Sequence, residues 1–161
     1  MAKNPESASN NVSATFQNRI KQIIDDQECE KKDFPKRVGV SRDVIIRATR
    51  YGIIPSLKSL IKIADKINVS LYYLLGETDN NEFYAPEHPT DFHARLRQLT
   101  DERGEKFSTV SNKMPFAYNS IYEWIRTGCL PSLEHIRPLA EYFGVSIDYL
   151  LGRTDDRTPY K

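Results

Sequence analysis

The chain has only two cysteines, Cys29 and Cys129, too few for a disulfide framework, and neither sits in a CxxC pair or a Cys/His cluster with metal-ligand spacing. Both read as packing or loop residues. Long apolar runs are missing too. No uncharged stretch approaches the roughly 18 residues of a membrane helix, and the opening MAKNPESASNNVSAT lacks the apolar core of a secretory signal. The expectation is a cytoplasmic chain with no membrane partner. There is no glycine-rich phosphate loop, no HExxH, no GxSxG and no convergent set of His, Asp and Glu, which argues against an enzyme, a small-molecule substrate, a metal or a cofactor. His88, His93 and His135 have no ligand spacing and read as structural or solvated groups. Neither sign of charge is in excess, because 23 lysines and arginines oppose 22 acids for a net of +1.

What is present suits a folded protein: 161 residues, 39% hydrophobic, with nine prolines and seven glycines. Such a length fits one large domain or two small ones. Internal repetition decides for two. Displacing the sequence on itself by 76 residues overlays Phe16 on Phe92, Gly52 on Gly128, Pro55 on Pro131 and Gly76 on Gly152 without a gap. Residues 16–79 and 92–155 share 19 identities over 64 positions, where unrelated sequences of ordinary composition would share on the order of four. The intervening NNEFYAPEHPTD, with two prolines and three acids, has the character of a linker. The chain therefore divides into a disordered N-terminal arm over 1–15, a first domain over 16–79, a linker over 80–91, a second domain over 92–155 and a tail over 156–161.

Within each copy the apolar spacing is helical. Phe16, Ile20, Ile23 and Ile24 recur at three and four residues, as do Leu57, Leu60, Ile61, Ala64 and Ile67. The second copy repeats this with Phe92, Leu96 and Leu99, then Leu133, Ile136, Ala140 and Phe143. Ser56, Ser132, Ser70 and Ser146 stand where a hydroxyl can accept from the free amides of a helix start. Gly76 and Gly152 stop the last short helices. In EKKDFPKRVGVSRDVIIRATRYG the pattern predicts a short helix ending near Val38, a turn at Gly39-Val40-Ser41 and a second helix over 42–50, which is a helix-turn-helix.

The segment GVSRDVIIRATRYGIIPSLKSLIKIADKINVSLYYLLGETD, and SIYEWIRTGCLPSLEHIRPLAEYFGVSIDYLLGRTD in the second copy, resemble the phage-repressor, Cro-like (XRE family) helix-turn-helix domains. The shared order is Pro-Ser-Leu, then Val-Ser, then Tyr-Leu-Leu-Gly, and the likeness covers about 128 of the 161 residues. The resemblance implies an all-α protein of two five-helix, lambda-repressor-like domains in tandem. It implies that the third helix of each reads double-stranded DNA, and that the chain is a transcriptional regulator, a repressor by analogy. The departures fall in the motif itself. Lys31 and Phe107 occupy the place where the family carries a phosphate-contacting glutamine, and Pro35 delays the start of the second helix. In the second copy Pro115 replaces the turn glycine and Ala117 the capping serine.

On a helical wheel of residues 42–50, Ile45 and Ala48 face the core, Asp43, Ile46, Arg47 and Arg50 point away, and Arg42 projects from the first turn. Arg42, Asp43, Ile46 and Arg47 are the base-reading candidates. Arginine can grip guanine with two hydrogen bonds, aspartate can accept from cytosine, and isoleucine can meet a thymine methyl. Lys31, Lys32, Lys36, Arg37 and Arg50, with Arg126 in the second copy, are the phosphate candidates. Residues 31–50 carry seven basic and two acidic side chains, a local net of +5. The first copy nets +3 and the second zero, so the first is expected to do most of the electrostatic binding. In the second copy Tyr118, Asn119, Tyr122 and Glu123 fall opposite Ile121 and Trp124. Asn119 suits adenine, and the tyrosines suit either sugars and methyls or a protein partner.

The plainer readings stand beside these. Asp43 and Arg47, four apart, also suit a surface ion pair, and the lysines an ordinary solvated face. Trp124 and Tyr73 read as packing residues. Recognition helices of such dimers lie about 34 to 36 Å apart. A linker of 12 residues reaches about 40 Å at most, so an intrachain pseudo-dimer is feasible beside a homodimer. The rival from another class is a helix-turn-helix fold kept as a protein-protein interaction module, antitoxin-like or adaptor-like. The missing glutamines and the neutral, tyrosine-bearing second motif favour that rival.

Overall fold

A computed structural model of the chain describes residues 11–159, and among them the regular elements are ten α-helices and one 3-10 turn, with no strand. A lone antiparallel bridge joins Val12 to Ile53. The protein is all-α, and no described helix is long and apolar enough to cross a membrane. It forms two compact units that divide between Phe83 and Tyr84, inside the expected linker. The first unit holds α1 (Ala14–Asp26), a 3-10 turn (Lys31–Asp33), α2 (Phe34–Val38), α3 (Arg42–Tyr51), α4 (Leu57–Ile67) and α5 (Leu71–Leu74). The second holds α6 (Phe92–Arg103), α7 (Phe107–Ser111), α8 (Ser120–Thr127), α9 (Leu133–Phe143) and α10 (Ile147–Leu150).

Serines open most of these helices. Ser56, Ser70, Ser132 and Ser146 each accept the amide of the residue three further on, as does Ser41 at the start of α3. Displaced by 76 residues, α4 and α5 superpose on α9 and α10 residue for residue, whereas α2 and α3 do not match α7 and α8. The scaffold repeats strictly at its C-terminal half and loosely where the motif lies.

The first core is the predicted one, with Phe16, Ile20, Leu57, Leu60 and Ala64 buried, and with Ile63 rather than Ile61 completing the α4 stripe. Phe92, Leu96, Leu99, Ile136, Ala140 and Phe143 do the same in the second unit. Beneath each core lies a device that periodicity does not announce. Arg19, buried, donates to the carbonyls of Tyr73 and Thr78 at 2.9 Å each and to Asp79 at 2.7 Å, with its guanidinium 4.0 Å over the Tyr73 ring. Arg95 repeats it with the Thr154 carbonyl at 3.3 Å, Asp155 at 2.8 Å and the Tyr149 ring at 4.0 Å. Every residue of this clamp is among the identities of the repeat, so the shared sequence fastens α1 and α6 to the chain that leaves each unit. Gly76 shares the constraint. Its φ of 75° is left-handed, and a Cβ there would come within 2.4 Å of the Thr15 carbonyl.

Of the arm expected over 1–15, residues 1–10 lie outside the described residues. Residues 11–13 run along the segment that follows α3: the Ser13 amide donates to Gly52 and the Ile54 amide to Asn11. Of the tail, 160 and 161 lie outside the described residues, while the Arg157 carbonyl accepts the Ser146 amide.

Candidate nucleic-acid interface

Residues 34–51 make two helices joined by a tight turn. Phe34 and Val38 anchor α2 in the core, and Pro35 sits in its first turn, where an amide is not needed. Gly39, at φ 78°, ends α2. Ile45 and Ala48 are buried as expected, so α3 is held by one face. From α1, Gln17 Nε2 donates to the Thr49 carbonyl at 2.9 Å and the Arg50 carbonyl at 3.0 Å, satisfying the free C-terminal end of α3.

This leaves Arg42, Asp43, Arg47 and Arg50 exposed on α3 and Lys36 and Arg37 exposed on α2, with Ile46 half-buried. Among the described residues none of these five cations has an acidic group within ion-pair distance, and Asp43 does not pair with Arg47. Lys31 and Lys32 differ. They stand in the 3-10 turn and face acids, Lys31 with Asp25 at 3.3 Å and Lys32 with Glu30 at 3.1 Å. Those acids belong to the run DDQECE just ahead of the window with a net of +5, so the positive potential centres on α2 and α3 rather than on the turn.

The second unit departs from the expected helix. Tyr118 and Asn119 lie in a turn, and α8 begins only at Ser120, with Asn119 in a helical conformation and making no side-chain cap. Pro115 and Ala117 explain the delay: one cannot adopt the glycine turn, and the other has no hydroxyl to accept from a helix start. Tyr118 and Tyr122 are 49% and 44% exposed, and the Tyr122 ring meets Phe107 edge-on at 6.2 Å. Arg126 is held by Glu123 at 2.5 Å, which raises its pKa. Lys113 faces Glu105 at 3.9 Å. Ile121 is fully buried, and Trp124 packs edge-on against Phe116 at 5.0 Å and Phe92 at 6.3 Å. Among the described residues no three His, Cys, Asp or Glu side chains converge as a metal site.

A groove of about 620 Å³ runs along the flank of α3 in the first unit. Arg42, Ile46 and Arg50 line it together with Lys31 and Lys32, whereas Asp43 and Arg47 lie off it. The candidates that one helical wheel gathers thus divide between two flanks of α3. No protein-family model matches the chain, and no curated protein or solved structure matches it.

Proposed function

We propose that the chain is a double-stranded DNA-binding transcriptional regulator, built from two tandem Cro-like helix-turn-helix domains, with the first domain the main reader. One observation carries this reading: a serine-capped helix on a glycine turn presents Arg42, Arg47 and Arg50, beside Lys36 and Arg37, to solvent with no acid among the described residues paired to them. Unpaired cations on a narrow helical edge suit phosphates and guanine edges. Binding would repress by occluding a promoter, without catalysis.

Titrating a labelled duplex with the full chain at several salt concentrations tests it. About five phosphate contacts give a slope of log affinity against log salt near −4 to −5. No binding even at low salt would overturn the reading. Because the two motifs differ, the site selected from a random pool should be asymmetric. A second reading applies to the second domain alone. Its exposed Tyr118 and Tyr122, with Arg126 already paired to Glu123, suit a protein partner better than a phosphate backbone.

A further inference from the structure

The groove on α3 has a charge layout that duplex reading leaves unused. Gln17 bonds the end of α3, so the start of α1 lies beside Arg50. Lys21 follows one turn later, and Asp25, another turn on, holds Lys31. The unpaired cations therefore stand at two ends, Arg50 with Lys21 at one and Arg42 at the other, where Lys31 and Lys32 are already paired with Asp25 and Glu30. Arg42 and Arg50, eight residues apart on one helix, are separated by about 12 Å along its axis. Between these ends the lining is mostly apolar, Ile24, Pro35, Ile45 and Ile46, together with Thr49, whose hydroxyl donates to the Ile45 carbonyl. The only acid lining the groove is Asp25, already neutralised by Lys31, and Lys21, Arg42 and Arg50 have no ion pair among the described residues.

We propose that this groove binds a small organic anion with an apolar body and a phosphate at each end, of the alkanediol bisphosphate class. A volume of about 620 Å³ suits a small molecule rather than a lone ion. Inorganic phosphate would leave the apolar floor uncovered, and an uncharged ligand would leave both cationic ends unanswered. Guanidinium groups favour bidentate contact with phosphate, which Arg42 and Arg50 provide at opposite ends. The regulatory consequence rests on the duplex reading: a ligand that occupies Arg42 and Arg50 takes them from the DNA and releases it.

The test titrates the full chain calorimetrically with hexane-1,6-diyl bisphosphate, hexyl monophosphate and inorganic phosphate. The bisphosphate should bind one-to-one and about tenfold or more tighter than the other two. Arg42→Gln and Arg50→Gln should each weaken it about fivefold, while Arg47→Gln on the other flank leaves it within about twofold. Circular dichroism checks that the variants stay folded. Absent binding, equal weak binding of the three anions, or equal losses from the three substitutions would overturn the site. The bisphosphate should also raise the apparent Kd for a labelled duplex. Bisphosphate binding with this residue pattern in a chain that binds no duplex would leave the site standing and remove the duplex reading. Duplex binding without bisphosphate binding would remove the site alone.

Discussion

Arg50 and Arg126 hold the same place in the repeat, yet Arg126 is gripped by Glu123 at 2.5 Å while Arg50 has no ion pair among the described residues. The contrast extends across both units. In the second, Arg157 bonds Glu102, Arg103 and Lys113 face Glu105, and Arg153 pairs with Asp148. In the first, Lys36, Arg37, Arg42, Arg47 and Arg50 have no such partner among the described residues. The buried clamps of Arg19 and Arg95 are nonetheless alike. One scaffold thus carries two surfaces that differ in how far their cations are paired.

The clamps give the largest expected effect. Arg19→Ala removes the donors to the Tyr73 and Thr78 carbonyls and should destabilise the first unit by about 2 to 4 kcal/mol. Arg95→Ala should cost the second unit less, because Arg95 makes a longer carbonyl bond and its Nε has no partner. Denaturant unfolding followed by Trp124 fluorescence for the second unit and by helicity for both separates the two. Equal losses in both units from either variant would break the distinction.

Duplex affinity comes next. Arg47→Ala should cost about 1 to 3 kcal/mol and relax one base preference, while Lys36→Ala weakens all sequences alike. Arg126→Ala should change little, since its charge is already answered by Glu123. Competition binding against a panel of duplexes would show this, and uniform loss from Arg47→Ala would place the reading edge elsewhere. Glu123→Gln is the converse experiment. Freeing Arg126 should improve low-salt duplex affinity by no more than about twofold, because an exposed ion pair is weak. No gain would mean that the second motif stays away from DNA even when unpaired.

The smallest effect concerns pH. Arg157, then Gln98, hold the Glu102 carboxyl down from 4.5 to about 2. A carboxyl depressed in the folded state adds stability that is full above its ordinary value and lost as pH falls from about 4.5 toward 2. The first unit has Asp26 and Asn81 at the matching places, so this loss belongs to the second unit alone. Arg157→Ala should return the Glu102 midpoint toward 4.5 in a carboxyl-carbon NMR titration, and an unmoved midpoint would assign the shift to another group.

Much of the helical framework was readable because its signals are local. Ser56, Ser70, Ser132 and Ser146 cap the helices they precede, and the stripes of Phe16 and Leu57 fill the core. The α3 face was readable for the same reason, through Ile45 and Ala48. What escaped depends on contacts between distant segments. The acids that occupy Lys31 and Lys32 lie on α1 and in the loop after it, outside the window whose charge was counted. The groove needs Lys21 beside Arg50, which only the Gln17 bond to α3 reveals. The late start of α8 was written in Pro115 and Ala117, but its length was not, so Tyr118 and Asn119 belong to a turn rather than to a helix face. The Arg19 clamp was visible only as unexplained identity between the copies.

The comparison between the units is tested most directly by salt-dependent duplex binding of two double variants. Lys36→Gln with Arg50→Gln removes two cations of the first unit, and Lys113→Gln with Arg126→Gln removes two of the second. The slope of log affinity against log salt should become shallower by about 2 for the first pair and stay unchanged for the second. Equal changes for both pairs, or a larger change for the second, would contradict the assignment of duplex binding to the unpaired cations of α2 and α3.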